Sequence, residues 1–96
     1  MSTALVSLGG GMDTVAVAAV AGKIIRLRRI ISEPAATITL KSGSTAICPQ
    51  LKCGSSGNID RSWPDGEMAC QRGESLTIQN HGTLVIKVWI HYEVVD

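Results

Sequence analysis

The last stretch of the chain carries its clearest hydrophobic pattern. Within residues 83–95, every second side chain from Leu84 to Val94 is apolar, and the side chains between them are mixed. Side chains on a β-strand point alternately to opposite faces, whereas a helix would spread these positions around its circumference. We therefore predict one long strand with one apolar face, which needs a second sheet or a closed barrel to cover it.

Earlier segments predict shorter strands separated by turns. These segments are residues 4–8, 14–20, 24–31, 36–41, 45–48, 58–62, 67–70 and 75–79. In the third segment we place Ile25, Leu27 and Ile31 on one face and expect Arg29 at a strand end or a bulge. A helix over residues 13–31 is the competing prediction, because Ala and Arg are good helix formers. Gly22 and the density of β-branched residues favour strands.

The turn signals and the number of strands together predict the fold class. Residues 41–44 (Lys-Ser-Gly-Ser) predict a tight hairpin turn, and residues 63–66 (Trp-Pro-Asp-Gly) a second turn. About eight short strands in an all-β chain indicate an antiparallel two-sheet β-sandwich of jelly-roll type.

The length allows one domain. At 96 residues, the chain is near the lower end of the size at which a core stabilises a fold unaided. We expect residues 13–96 to form the sandwich. We expect residues 1–12, with glycines at 9–11, to form a flexible N-terminal arm that either stays disordered or orders against a neighbour.

Composition and charge exclude several classes of partner. The net charge is +1, so no field of the whole molecule attracts nucleic acid or an anionic membrane. The apolar run at residues 14–21 is too short to span a bilayer, and residues 1–11 do not resemble a secretory signal. We therefore expect a protein made in a cytoplasm, with neither nucleic acid nor membrane as a partner.

The cysteines and histidines offer only weak candidate chemistry. An odd number of cysteines (Cys48, Cys53 and Cys70) without a recognisable signal favours free thiols. A Cys48–Cys53 bridge is an alternative, and a zinc site with His81 or His91 is a weaker one. Buried thiols that behave as small hydrophobic groups fit the sequence better, and we expect neither a metal nor another cofactor.

No pattern in the chain predicts catalysis. A nucleophile elbow, a P-loop and a dinucleotide-binding glycine pattern are all missing from the sequence. The metal sites of jelly-roll enzymes need several histidines beside a carboxylate, but His91 stands alone on its strand. We expect a protein that is not an enzyme.

Two groups of residues are candidates for contacts with other subunits. Trp89 and Lys87 lie on the less apolar face of the last strand, where the Trp is either a surface residue or part of a subunit contact. Arg26, Arg28 and Arg29 form the one basic cluster, which is either a solvated strand face or a set of cations that pair with a partner's carboxylates.

Several short motifs, taken in order, resemble a known family. The motifs are residues 17–27 (VAAVAGKIIRL), 41–46 (KSGSTA), the region of Gly57, residues 64–66 (PDG), 73–76 (GESL) and 90–94 (IHYEV). Their order is similar to that in small bacteriophage jelly-roll proteins that decorate the head, also called cement proteins. The resemblance covers most of the chain, although the loop at residues 49–57 departs from it by carrying a cysteine.

The resemblance implies a role on a virion. It implies a jelly-roll module, often trimeric, that sits on the phage head; related modules occur in head fibres and tail appendages. We expect a capsid decoration protein that is assembled in the host cytoplasm and that bridges neighbouring major capsid protein subunits. The alternative is a receptor- or glycan-binding module of a head or tail fibre, with Trp63 near Asp60 and Asp65 as its candidate site.

Overall fold

The computed structural model describes residues 2–53, 57–64 and 67–96 of the chain. These residues form nine β-strands and no helix. The strands are β1 (Ser2–Leu8), β2 (Asp13–Val17), β3 (Ile24–Ser32), β4 (Thr37–Ser42), β5 (Thr45–Ala46), β6 (Leu51–Lys52), β7 (Asp60–Ser62), β8 (Leu76–Asn80) and β9 (Ile86–Val95). The competing helix over residues 13–31 is therefore wrong, because this segment forms β2 and β3.

The strands form two antiparallel sheets in a sandwich. The four-stranded sheet has the order β1-β9-β3-β7, and the five-stranded sheet has the order β2-β8-β4-β5 with β6 also paired to β4. If the two-residue β6 is set aside, eight strands remain. Their orders are those of a jelly roll, in which the chain crosses repeatedly between the sheets and the first and last strands are neighbours. The predicted fold class is confirmed.

The inward-facing residues of both sheets form one core. On β9, Ile86, Val88 and Ile90 are buried, which confirms the period of two that predicted this strand. The strand begins at Ile86, so Leu84 and Val85 lie before it, in an exposed loop. The alternation therefore extended a few residues beyond the strand itself.

A bulge in β3 changes which residues face the core. The strand pairs with β9 in one register up to Leu27 and in a shifted register from Arg29 onward, so Arg28 is an extra residue. One extra residue inverts the alternation, and Ile30 is fully buried while Ile31 is turned to the outer face. The predicted bulge is present, but the prediction that Ile31 faces inward is wrong.

The N-terminal segment is part of the sheet. Residues 2–8 pair with β9 along their whole length, and the side chains of Val6 and Leu8 are buried in the core. Within the segment expected to be a flexible arm, residues 2–8 thus form an edge strand that includes the short strand predicted at residues 4–8, because β1 buries apolar surface and shares hydrogen bonds with β9. The glycines that follow make a close turn: a Cβ on Gly10 would lie 2.3 Å from the carbonyl oxygen of Thr83.

A buried polar network fixes the predicted hairpin between β4 and β5. Gly43 takes a positive φ of 60° in the two-residue turn, which favours glycine. Beside it, the buried Ser42 hydroxyl donates to the Glu74 carboxylate over 2.6 Å and accepts from the backbone N–H of Gln71 over 2.8 Å. The second predicted turn includes residues 65 and 66, which lie outside the described residues.

Candidate interaction face

The outer face of the four-stranded sheet carries a row of apolar side chains. Trp89, on the central strand β9, lies opposite Leu5 of β1 on one side and opposite Ile31 of β3 on the other. Leu5 is 54% exposed, Trp89 is 43% exposed, and Ile31 is partly exposed. We call these three residues the apolar row. Directly opposed side chains on one face lie close enough to touch, so the row presents a continuous apolar surface.

The sequence pattern indicates Trp89 as a contact residue but not its two neighbours in the apolar row. Leu5 falls in the short strand predicted at residues 4–8, within the segment expected to be a flexible arm. Ile31 is predicted to face the core, because the position of the bulge decides which of two adjacent isoleucines faces inward. The alternation within residues 2–8 was a usable signal for Leu5. No signal in the sequence separates Ile30 from Ile31.

Two of the three arginines share one carboxylate on the same face. Arg28 Nη1 lies 3.3 Å and Arg26 Nη1 lies 4.0 Å from Oε1 of Glu93, on the neighbouring strand. Because Arg28 is the extra residue of the bulge, its side chain comes to the same carboxylate as Arg26. The three side chains are all partly buried, so this end of the face is held in place by charge pairing.

Arg29 is paired separately. Its guanidinium donates two hydrogen bonds to the carboxylate of Asp60 on β7, over 3.1 and 3.0 Å. The hydrogen bonds hold the pKa of Asp60 below its ordinary value, and those same bonds raise the pKa of Arg29. Both side chains are about half exposed, so the pair orients charge at the rim of the apolar row and contributes little to stability.

Lys87 lies on the other side of the apolar row. Its side chain is exposed on the outer face, and its backbone N–H donates to Oε1 of Glu33 over 2.6 Å. On the opposite flank, the ring Nδ1 of His91 lies 3.3 Å from the hydroxyl of Thr3. The structure thus places five predicted contact residues on one sheet face: Trp89, Lys87, Arg26, Arg28 and Arg29.

Trp63, the sixth candidate, lies elsewhere. It is partly buried against the core and lines an open cleft between the edges of the two sheets, which we call the edge cleft. Asp60 does not line this cleft, because it is bound to Arg29 on the outer face. The predicted grouping of Trp63 with Asp60 is therefore wrong, and Asp65 lies outside the described residues.

The three cysteines are free thiols. The backbone N–H of Ile47 donates to the carbonyl of Leu40, and that of Cys53 donates to the carbonyl of Ala36. Leu40 and Ala36 are four residues apart along the chain, which places Ile47 and Cys53 roughly 13 Å apart at about 3.3 Å per residue. Cys48 is one residue nearer to Cys53, which still leaves a gap wider than the roughly 7 Å limit for a disulfide. This geometry does not favour the Cys48–Cys53 bridge.

Burial makes the thiol of Cys70 a weak nucleophile. The pKa of Cys70 is raised to about 11, chiefly because burial removes the thiol from water. A hydrogen bond with Ser42 lowers this pKa, but by less. Burial likewise raises the pKa of Cys48, whereas the nearby positive charge of Arg61 opposes that rise. A thiol with a raised pKa holds little thiolate at neutral pH, and the thiolate is the reactive form.

Neither a metal centre nor a membrane helix occurs in the described part of the chain. In residues 2–53, 57–64 and 67–96, no three His, Cys, Asp or Glu side chains are grouped as a metal site requires. The ring Nε2 of His81 is hydrogen-bonded to the Thr39 hydroxyl over 2.7 Å. The same residues contain no helix able to cross a membrane.

Comparison with known proteins yields no relative. The chain matches no protein-family model, no curated protein and no solved structure.

Proposed function

We propose that this chain is a non-enzymatic decoration protein of a bacteriophage head. It forms a homotrimer on the capsid surface and bridges neighbouring major capsid protein subunits. The observation that carries the proposal is the apolar row, with charged and polar side chains on both flanks. A desolvated apolar centre within a polar rim is the usual anatomy of a protein–protein interface, and a Trp at its centre is a frequent energetic hot spot.

The fold and the resemblance to head decoration proteins support the same class. Jelly rolls occur in viral capsid proteins, but also in lectins and cupins, so the fold by itself does not decide between them. The three arginines of the outer face are paired with Glu93 and Asp60 and do not converge on a pocket. This arrangement suits a surface that adheres better than one that performs chemistry.

Oligomerisation has a physical advantage for a domain of this size. A chain of 96 residues buries a modest core, and a partner that binds only the folded state stabilises it by mass action. Closed threefold symmetry covers the same patch on every copy. A trimer that contacts several capsid subunits at once then gains avidity, although each contact is weak.

The first test measures the oligomeric state. We expect sedimentation velocity at micromolar concentration to show a trimer and Trp89→Ala to shift the distribution toward monomer. Val15→Ala, which removes an exposed apolar side chain from the other sheet, is the matched control and leaves the trimer unchanged. A single monomeric species for the unmodified protein at these concentrations contradicts the proposal.

The second test measures binding to the capsid. Purified protein is added to phage heads that lack it, and the particles are imaged by electron microscopy. We expect extra density between neighbouring capsid subunits, which is lost with Trp89→Ala. Density confined to the tail or to fibres contradicts the proposed location.

A different feature favours a second candidate function. We propose as the alternative a receptor- or glycan-binding module of a head or tail fibre, because Trp63 lines an open cleft together with polar side chains. Binding to a glycan array that is lost with Trp63→Ala, combined with no binding to heads, favours this alternative over decoration.

A further inference from the structure

The edge cleft exists because the strands on one side of the sandwich are short. Strands β5 and β6 have two residues each and β7 has three, so the sheet edges there do not close over the core. The gap has a volume of about 320 Å³. Ligand pockets span about 300–1,000 Å³, so the cleft suits one small ring better than an extended chain.

One wall of the edge cleft is apolar and rigid. Met68 and Leu51 are buried core residues that line it. Trp63 packs against the same core, and its backbone N–H donates to the carbonyl of Arg28 over 2.9 Å. The backbone hydrogen bond and the packing against the core therefore fix the position of Trp63, and the exposed part of its indole lines the cleft.

The other wall carries donors and acceptors of hydrogen bonds. Arg61 pairs with the inward-facing Ile30, so its side chain leaves β7 on the cleft side of the sheet. Its positive charge acts to lower the pKa of Cys48, another lining residue, which agrees with this orientation. Glu67 and Gln50 complete the polar wall.

The polar groups of this wall are available to a ligand. Among the residues that the structure describes, the side chains of Arg61 and Glu67 have neither an ion-pair nor a hydrogen-bond partner. One cation and one anion give the lining a formal charge of zero. Donors and acceptors beside an apolar ring, without net charge, suit a neutral ligand with several hydroxyl groups, since each hydroxyl both donates and accepts.

We propose that the edge cleft binds a single neutral hexose unit of a glycan. The C–H face of the sugar ring stacks on Trp63, Arg61 and Gln50 donate to sugar hydroxyls, and Glu67 accepts from them. A sugar carboxylate is disfavoured, because Glu67 lies in the same cleft as Arg61. The site lies away from the apolar row, so it adds an activity to the decoration role and gives the alternative function its ligand class.

The test uses the fluorescence of Trp63. The chain has two tryptophans, so Trp89→Phe leaves Trp63 as the only one. This variant is titrated with the methyl glycosides of glucose, galactose and mannose, with N-acetylglucosamine, and with glucuronic acid as the charged comparison. We expect a saturable change for at least one neutral sugar with a Kd on the order of 1–10 mM, typical of a single ring held by few contacts.

Matched variants decide whether the site is the edge cleft. We expect Arg61→Met and Glu67→Ala each to weaken binding about tenfold, because each removes a charged hydrogen-bonding group. Arg72→Met changes an exposed arginine that lines no part of the cleft and leaves the affinity unchanged. Two-dimensional NMR of the unmodified chain supplies a second readout, with shifts expected at the amides of Gln50 and Met68.

Three results overturn the proposal. They are the absence of a saturable change with every neutral sugar up to ~100 mM, about ten times the upper end of the expected range, an affinity of the Arg61 and Glu67 variants equal to that of the parent protein, and tighter binding of glucuronic acid than of every neutral sugar. None of these readouts depends on trimer formation. Failure of the sugar site is therefore distinguishable from failure of the decoration role, which sedimentation tests.

Discussion

The outer faces of the two sheets come from the same sandwich but differ in what they leave to solvent. On the five-stranded sheet, Asp13 of β2 lies opposite Gln79 of β8, and its carboxylate accepts from Lys41 Nζ over 3.0 Å. Thr39 is hydrogen-bonded to His81, and Thr77 is buried between its neighbours. Polar side chains predominate on this face, and hydrogen bonds join Asp13 to Lys41 and Thr39 to His81.

The four-stranded sheet places its polar groups at the periphery. Its centre is the apolar row, and the charged pairs Arg28–Glu93 and Arg29–Asp60 lie beside it. Single exposed apolar residues are normal on any protein, and Val15 on the other sheet is one of them. Three in a line are different, and the described outer face of the five-stranded sheet has no such row.

The largest expected effect separates the inner and outer faces of β9. We expect Ile90→Ala, at a fully buried position, to lower the free energy of unfolding by about 2–5 kcal/mol through lost burial and a cavity. Trp89→Ala, one residue away on the outer face, is expected to change it by about 1 kcal/mol or less when the chain is monomeric. Urea denaturation at low protein concentration measures both, and equal losses refute the assignment of faces.

The next effect separates the two outer faces. Leu5 and Val15 are 54% and 56% exposed, on the edge strands β1 and β2. If the apolar row is the subunit contact, Leu5→Glu buries a charge there and raises the dissociation constant of the trimer at least about a hundredfold. Val15→Glu serves as the matched control and leaves it unchanged in sedimentation equilibrium. Equal responses would remove the distinction between the faces.

A smaller effect is expected from the ion pair on the five-stranded sheet. Asp13→Asn removes the charge that accepts from Lys41 and is expected to cost no more than about 1 kcal/mol, because one partner is well exposed. The midpoint of urea unfolding should shift slightly and the oligomeric state not at all. A change in sedimentation would mean that the outer face of the five-stranded sheet takes part in the subunit contact.

The smallest effect is a titration. Hydrogen bonds from Arg29 lower the pKa of Asp60 from its ordinary 3.8, so the pair's contribution to stability is complete above the unfolded value and is lost as the pH falls through the lower, folded pKa. We expect NMR to show a carboxyl midpoint below 3.8, and Arg29→Gln to raise it toward 3.8. A midpoint at or above 3.8 in the unmodified chain contradicts the bidentate pair.

Much of the fold was predictable because its signals are local. The alternation in β9, the hairpin at Gly43 and the inward-facing Leu76 and Ile78 of β8 follow from neighbours in the chain. Which residues of β3 face the core could not be predicted this way. Ile30 and Ile31 are equivalent in sequence, and only the pairing with β9 decides which of them is buried. A strand at residues 4–8 was predictable, but its pairing was not, because its partner β9 lies far along the chain.

The candidate sites were less predictable for the same reason. Trp89, Lys87 and the arginines were identified from their own strands, but the apolar row also needs Leu5, which the register with β9 brings to Trp89. The edge cleft combines residues 47–51 with residues 61, 63, 67 and 68. No spacing in the sequence predicts that these segments line one cleft, because the cleft results from the shortness of the three strands β5, β6 and β7 at the sheet edges.

The position of β9 has a consequence for how the molecule is made. It lies between β1 and β3, so until residues 86–95 have left the ribosome β1 has no strand to pair with and β3 can pair only with β7. Until then, the peptide groups of β1 hydrogen-bond to water instead of to a neighbouring strand. Such distant pairing slows folding, and a nascent chain that stalls before Ile86 presents β1 to chaperones or to its neighbours on the polysome.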